Sequence, residues 1–123
     1  MTMNKLLSGR RILVVEDEIL ILMMIEGMLA DLGCKSVSAA TRNEQAIALI
    51  EGQDFDVAML DMNLNGKSSG DVADALATRG VPFVYSTGNS VHDTRDGFRD
   101  RPVLKKPFSD EQLTKVLSDL LTS

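Results

Sequence analysis

The chain has 123 residues, 44% of them apolar and 25% charged, which suits one globular domain with a buried core and gives no sign of disorder. Its 13 Lys and Arg stand against 18 Asp and Glu, and a net charge of −5 has the wrong sign for tracking a polyphosphate backbone, so direct nucleic-acid binding is not expected. A single cysteine, Cys34, excludes an internal disulfide and a cysteine-rich metal centre, and a reducing compartment is the natural setting.

Residues 1–9 read as a short extension to a domain that takes in the whole of 1–123. The segment from Met1 to Arg11 carries Lys5, Arg10 and Arg11 but no apolar stretch of leader length. No run approaches the roughly 20 apolar residues of a membrane span, so a cytoplasmic protein with no membrane attachment is expected. Five short, largely apolar runs then follow in order: Arg11 to Val15, Ser36 to Ala40, Asp56 to Leu60, Pro82 to Ser86 and Arg101 to Leu104. Each has the length and composition of a strand buried on both faces.

Helical patterns separate the runs, at Glu18 to Leu32, Asn43 to Glu51, Asp71 to Thr78, near Val91 to Phe98, and Asp110 to Leu121. Gly33, Gly52 and Gly80 follow the first three where a left-handed cap is wanted. Ser109 with Gln112 makes a capping box for the last. The fourth helical pattern is the weakest, with Gly97 inside it and few apolar residues in register, and a short or loosely held element is expected there. The alternation is a (βα)5 pattern, and right-handed crossovers turn it into an α/β three-layer sandwich around a central five-stranded parallel sheet. In the first helix, Ile21, Met24, Ile25, Met28, Leu29 and Leu32 form a sufficient core stripe, which leaves Leu20, Leu22 and Met23 to lie partly exposed.

In an open parallel sheet the ligand site lies beyond the carboxyl ends of the strands. The first run ends in Glu16 and Asp17, the third in Asp61, the fourth in Thr87, and the fifth in Lys105, Lys106 and Pro107. Three carboxylates gathered at one edge repel one another unless a cation neutralises them. Oxygen ligands without His or Cys point to Mg2+ over a transition metal. A lysine and a hydroxyl beside that ion complete a cradle for a phosphoryl group.

These residues resemble the receiver domain of two-component response regulators, whose fold is the flavodoxin-like (βα)5 sandwich. The likeness runs over nearly the whole chain. Glu16 and Asp17 match the family's metal-binding acids, Leu60-Asp61-Met62-Asn63 its phosphoacceptor strand end, Ser86-Thr87-Gly88 its hydroxyl position, and Lys106-Pro107-Phe108 its lysine and proline. The resemblance implies that Asp61 accepts a phosphoryl group from the phosphohistidine of a histidine kinase or histidine phosphotransfer protein. It implies Mg2+ held by Glu16, Asp17, Asp61 and the backbone carbonyl of Asn63, with Thr87 and Lys106 on the phosphoryl oxygens. It also implies a cis Lys106–Pro107 bond, only incidental self-catalysed phosphotransfer and autodephosphorylation, and docking of the helical donor on the first helix. With no output domain read after Ser123, a stand-alone signalling role is expected, and a second copy of the chain is the other occupant expected for the exposed patch of that helix. Output through a protein partner and service as a phosphate sink both remain open.

The chain also departs from the family's commonest pattern. Val103 stands where most receivers carry the aromatic residue of strand five. Pro82-Phe83-Val84-Tyr85-Ser86-Thr87-Gly88 is similar to a receiver subclass with a Phe-Ala-Thr-Gly motif, with Tyr85 and Ser86 in place of Phe and Ala. Asn65-Gly66 replaces a common proline after Asp61, which predicts a turn with its own geometry. Two other functions share parts of the pattern. An aspartate-based phosphohydrolase needs a second acid two residues after the nucleophile, where this chain has Asn63. A flavodoxin-like cofactor carrier needs a phosphate loop after strand one, where Glu16 and Asp17 would repel the phosphate.

Overall fold

A computed structural model describes residues 7–64, 66–88 and 102–122. Its elements run β1 (Arg11–Val15), α1 (Ile19–Asp31), β2 (Ser36–Ala40), α2 (Asn43–Gly52), β3 (Val57–Asp61), β4 (Asn63–Leu64), β5 (Lys67–Ser68), α3 (Gly70–Thr78), β6 (Phe83–Thr87), β7 (Val103–Lys105) and α4 (Asp110–Thr122). Five of the strands form one sheet in the order β2-β1-β3-β6-β7, and every pairing in it is parallel. The expected fold is therefore present, and the helix expected near Val91 to Phe98 lies outside the described residues.

Alternation along each strand sends side chains to two cores. Leu13, Val15, Ala58, Leu60, Phe83 and Tyr85 face α2 and α3, where Ala46, Ile50, Val72 and Leu76 cover them. Ile12, Val14, Val57, Met59, Val84 and Leu104 face α1 and α4, where Leu22, Ile25, Leu29, Leu113 and Leu117 close the second layer. Because both faces are covered, the central strands β1, β3 and β6 are largely apolar, and their reactive polar groups fall at the carboxyl ends. Val103 packs half-buried against the first core.

The helix ends follow the sequence signals at most positions. Ser109 Oγ accepts the Gln112 N–H at 3.1 Å and Gln112 Oε1 accepts the Ser109 N–H at 2.8 Å, the reciprocal bonds of a capping box. Gly33 and Gly80 adopt φ of 85° and 70°, the left-handed conformation that ends α1 and α3. Gly52 departs from expectation. It stays helical as the last residue of α2, and the chain leaves through Gln53 in an extended conformation, so no left-handed cap is needed there.

The first helix is rotated from its expected phase. Leu22, only 7% exposed, belongs to the core with Ile25 and Leu29, whereas Met24 is 41% exposed. Leu20 and Met23 are exposed as expected, and Ile19 joins them. The cause is the α1 sequence itself, whose first seven residues are all apolar, so packing against β1 and α4 and not polarity selects the buried stripe. Among the described residues, no helix is long and apolar enough to cross a membrane.

Candidate functional site

The carboxyl ends of β1, β3, β6 and β7 meet at one edge because these strands are neighbours in register. Val15 pairs with Leu60, Asp61 with Ser86, and Thr87 with Lys105. The residues expected at the site are thereby brought together. Glu16 is almost wholly buried, Asp61 and Thr87 are buried, and Asp17 is half-buried. Carboxylate oxygens of Glu16, Asp17 and Asp61 lie within 4.8 Å of one another.

Lys106 is the counter-charge. Its Nζ donates to Glu16 Oε1 at 2.8 Å and to Asp61 Oδ2 at 3.0 Å. The Lys106 N–H donates to the Thr87 carbonyl at 2.8 Å, which ties the lysine to the hydroxyl-bearing strand. The following Lys106–Pro107 peptide is cis, as expected. Glu18, which the sequence reading left out of the site, reaches within 3.9 Å of the same Nζ from the start of α1. Its signal was present in the unbroken acidic run Glu16-Asp17-Glu18.

Backbone donors hold the two buried carboxylates. The Glu18 N–H donates to Glu16 Oε2 at 3.1 Å, and the Asn63 N–H donates to Asp61 Oδ1 at 3.1 Å. Burial, with the nearby Asp61 charge adding to it, pushes the Glu16 carboxyl up to about 7 against the opposing pull of Lys106. Burial pulls the Lys106 ammonium down, but its bonds to Glu16 and Asp61 outweigh this and raise it overall. Acids crowded enough to hold a proton near neutrality, with an all-oxygen donor set, suit a hard divalent cation such as Mg2+.

Beside the acids lies a cavity of about 280 Å3 lined by Ile21, Met24, Lys106, Pro107 and Phe108. On α1, which supplies Ile21 and Met24 to its wall, the side chains of Ile19, Leu20 and Met23 are also exposed. Pro107 and Phe108 contribute to this surface without having been expected there.

A parallel five-stranded α/β sandwich with three acids and a bridging lysine at its carboxyl edge defines a phosphoryl-signalling domain of the receiver type. Residues 12–118 match the response regulator receiver domain, and the chain belongs to that family. Receiver domains are the phosphoacceptor signalling domains of two-component systems. Among curated relatives, the transcriptional regulatory protein PdtaR of Mycobacterium tuberculosis is 33% identical over 104 residues, covering 81% of this chain and 51% of its own length. The chain thus spans about half the length of the curated relatives it matches.

Two solved structures extend the comparison. SdrG from Sphingomonas melonis Fr1 is 42% identical with a TM-score of 0.78, over 96% of this chain and 99% of that one. The receiver domain of the sensor histidine kinase PA1611 from Pseudomonas aeruginosa PAO1, solved with a magnesium ion in its active-site cleft, is 27% identical with a TM-score of 0.78, over 94% and 100%.

Proposed function

We propose that the protein is a response-regulator receiver that takes a phosphoryl group from a phosphohistidine onto Asp61 with Mg2+ and either passes the signal on by protein contact or serves as a phosphate sink. The observation that carries this reading is the bridge from Lys106 Nζ to both Glu16 and Asp61 inside a cluster of three carboxylates. Glu16, Asp17, Asp61 and the Asn63 carbonyl are the groups that would hold Mg2+, which supplies positive charge to the phosphoryl oxygens when bound. The magnesium in the PA1611 receiver cleft supports the same ion here.

Asp61 Oδ2 is the nucleophile in this reading. Its oxygen forms the new bond to phosphorus as the phosphorus–nitrogen bond of the donor breaks, and the electron pair leaves with the imidazole. Lys106, with an ammonium already at the carboxylate, moves its contacts to the phosphoryl oxygens, and the Thr87 hydroxyl provides a second donor. The donor helix docks on α1 over Ile19, Leu20, Met23 and Met24, beside the cavity at Pro107 and Phe108.

The test is phosphotransfer from purified histidine kinases or phosphotransfer proteins. The wild type acquires an acid-stable, base-labile acyl phosphate, and Asp61→Asn acquires none. Stoichiometric acyl labelling of that variant would overturn the assignment.

A further inference from the structure

The short hairpin between Asp61 and α3 has a direction built into it. Asn63 pairs with Ser68 and Leu64 with Lys67 across a two-residue link, and the Ser69 N–H donates to the Met62 carbonyl at 3.1 Å. In an antiparallel ladder, hydrogen-bonded and non-bonded pairs alternate. With the Ser69–Met62 bond on the inner side of the hairpin and the Met62 N–H turned to the Ser86 carbonyl of β6, the register makes Asn63 and Ser68 the non-bonded pair, whose backbone groups point away from the hairpin. The N–H and C=O of one extended residue point to the same side. The Asn63 N–H is bonded to Asp61 Oδ1, the side to which a regular strand would also turn the Asn63 carbonyl.

The Asn63 side chain closes the turn. Its Oδ1 accepts the Gly66 N–H at 2.9 Å, and Gly66 sits at φ 81°. The opposite strand is tied down separately, since Asn43 Nδ2 of α2 donates to the Ser68 carbonyl at 3.1 Å. That bond fits the same outward orientation of the 63–68 pair.

We propose that the Asn63 side chain is a positioning residue: by holding the β4–β5 hairpin closed, it fixes its own backbone carbonyl toward the acidic cluster as an oxygen ligand for a divalent cation. The role is separate from the chemistry at Asp61, although it rests on the receiver reading of the site. Groups that orient a metal ligand commonly change affinity about tenfold or more when removed.

Mg2+ titration calorimetry on Asn63→Ala and Gly66→Ala tests this, alongside urea unfolding without metal. The first variant removes the acceptor, and the second strains a left-handed position where a Cβ would meet no neighbouring atom. Both are expected to bind Mg2+ roughly tenfold more weakly, beyond any loss in the metal-free urea midpoint. Asn63→Ser, whose hydroxyl closes such turns more weakly, is expected to recover part of the affinity. Wild-type affinity in both variants, or Asn63→Ser as weak as Asn63→Ala, overturns the positioning role. Absence of Mg2+ binding by the wild type would instead overturn the receiver site on which the role depends.

Discussion

At Glu16, burial raises the carboxyl from 4.5 to about 7, so a divalent cation held there as proposed would compete with a proton. A raised folded-state value contributes stability below the unfolded value, which is lost as the pH climbs from 4.5 through about 7 in the metal-free protein. Cation binding has the opposite sign because it favours the charged form. Mg2+ affinity measured by calorimetry should therefore rise about tenfold between pH 6 and pH 8, with release of a proton, and Glu16→Gln should remove the dependence. Lys106→Met leaves Glu16 and Asp61 facing one another in a buried site. The expected cost is about 2–4 kcal/mol at pH 8 by urea denaturation, and less at pH 6, where Glu16 takes up a proton. Glu16 and Asp61 were legible in the sequence because each directly follows an apolar run, and Lys106 because it directly precedes Pro107. Glu18 was not, since an acid at a helix start is ordinarily explained by the helix dipole.

At the scale of the element, legibility depended on contrast. Ser109 and Gln112 stood out against neighbours that cannot cap, and the two bonds they make are those their spacing implied. Ser109→Ala should cost about 1 kcal/mol in thermal unfolding, with α4 fraying at its start. Helix α1 offered no such contrast. Seven apolar residues in a row place large side chains on every side of two turns, so the phase is set by packing that the sequence does not display. The corrected phase sharpens the docking test. Leu20 and Met23, 81% and 61% exposed, can both be changed to Lys with little loss of stability. Leu22→Ala in the core should cost roughly 2–4 kcal/mol. The double lysine variant should slow transfer from the cognate donor at least tenfold, about 1.4 kcal/mol in transition-state stabilisation, while labelling by acetyl phosphate stays near wild type. Equal loss in both reactions would sink the docking surface.

For the whole molecule, strand and helix order was readable because buried parallel strands and amphipathic helices have different periods, and the chain keeps them apart. The β4–β5 hairpin escaped as an element because two-residue strands have no period, although Asn65-Gly66 announced the turn. A ligand that binds only the folded chain stabilises it by about 2.7 kcal/mol at a hundred times its dissociation constant. Beryllofluoride with Mg2+ should raise the melting temperature of the wild type above the value with Mg2+ alone. Asp61→Asn should lose that increment, and an equal increment in the variant would place the phosphate mimic elsewhere.

The 90 residues separating Glu16 from Lys106 make the site a late product of folding. Glu16 and Asp17 emerge from the ribosome near the start of the chain, Asp61 midway and their counter-charge near the end, with β3 and β6 required between β1 and β7 to set the register. A nascent chain, or one opened by local unfolding at β7, holds Asp61 without the lysine that completes its surroundings. On the proposed reading, competence to be phosphorylated would therefore also certify structural integrity, and a kinase reading this edge would pass its signal to finished molecules and ignore incomplete ones.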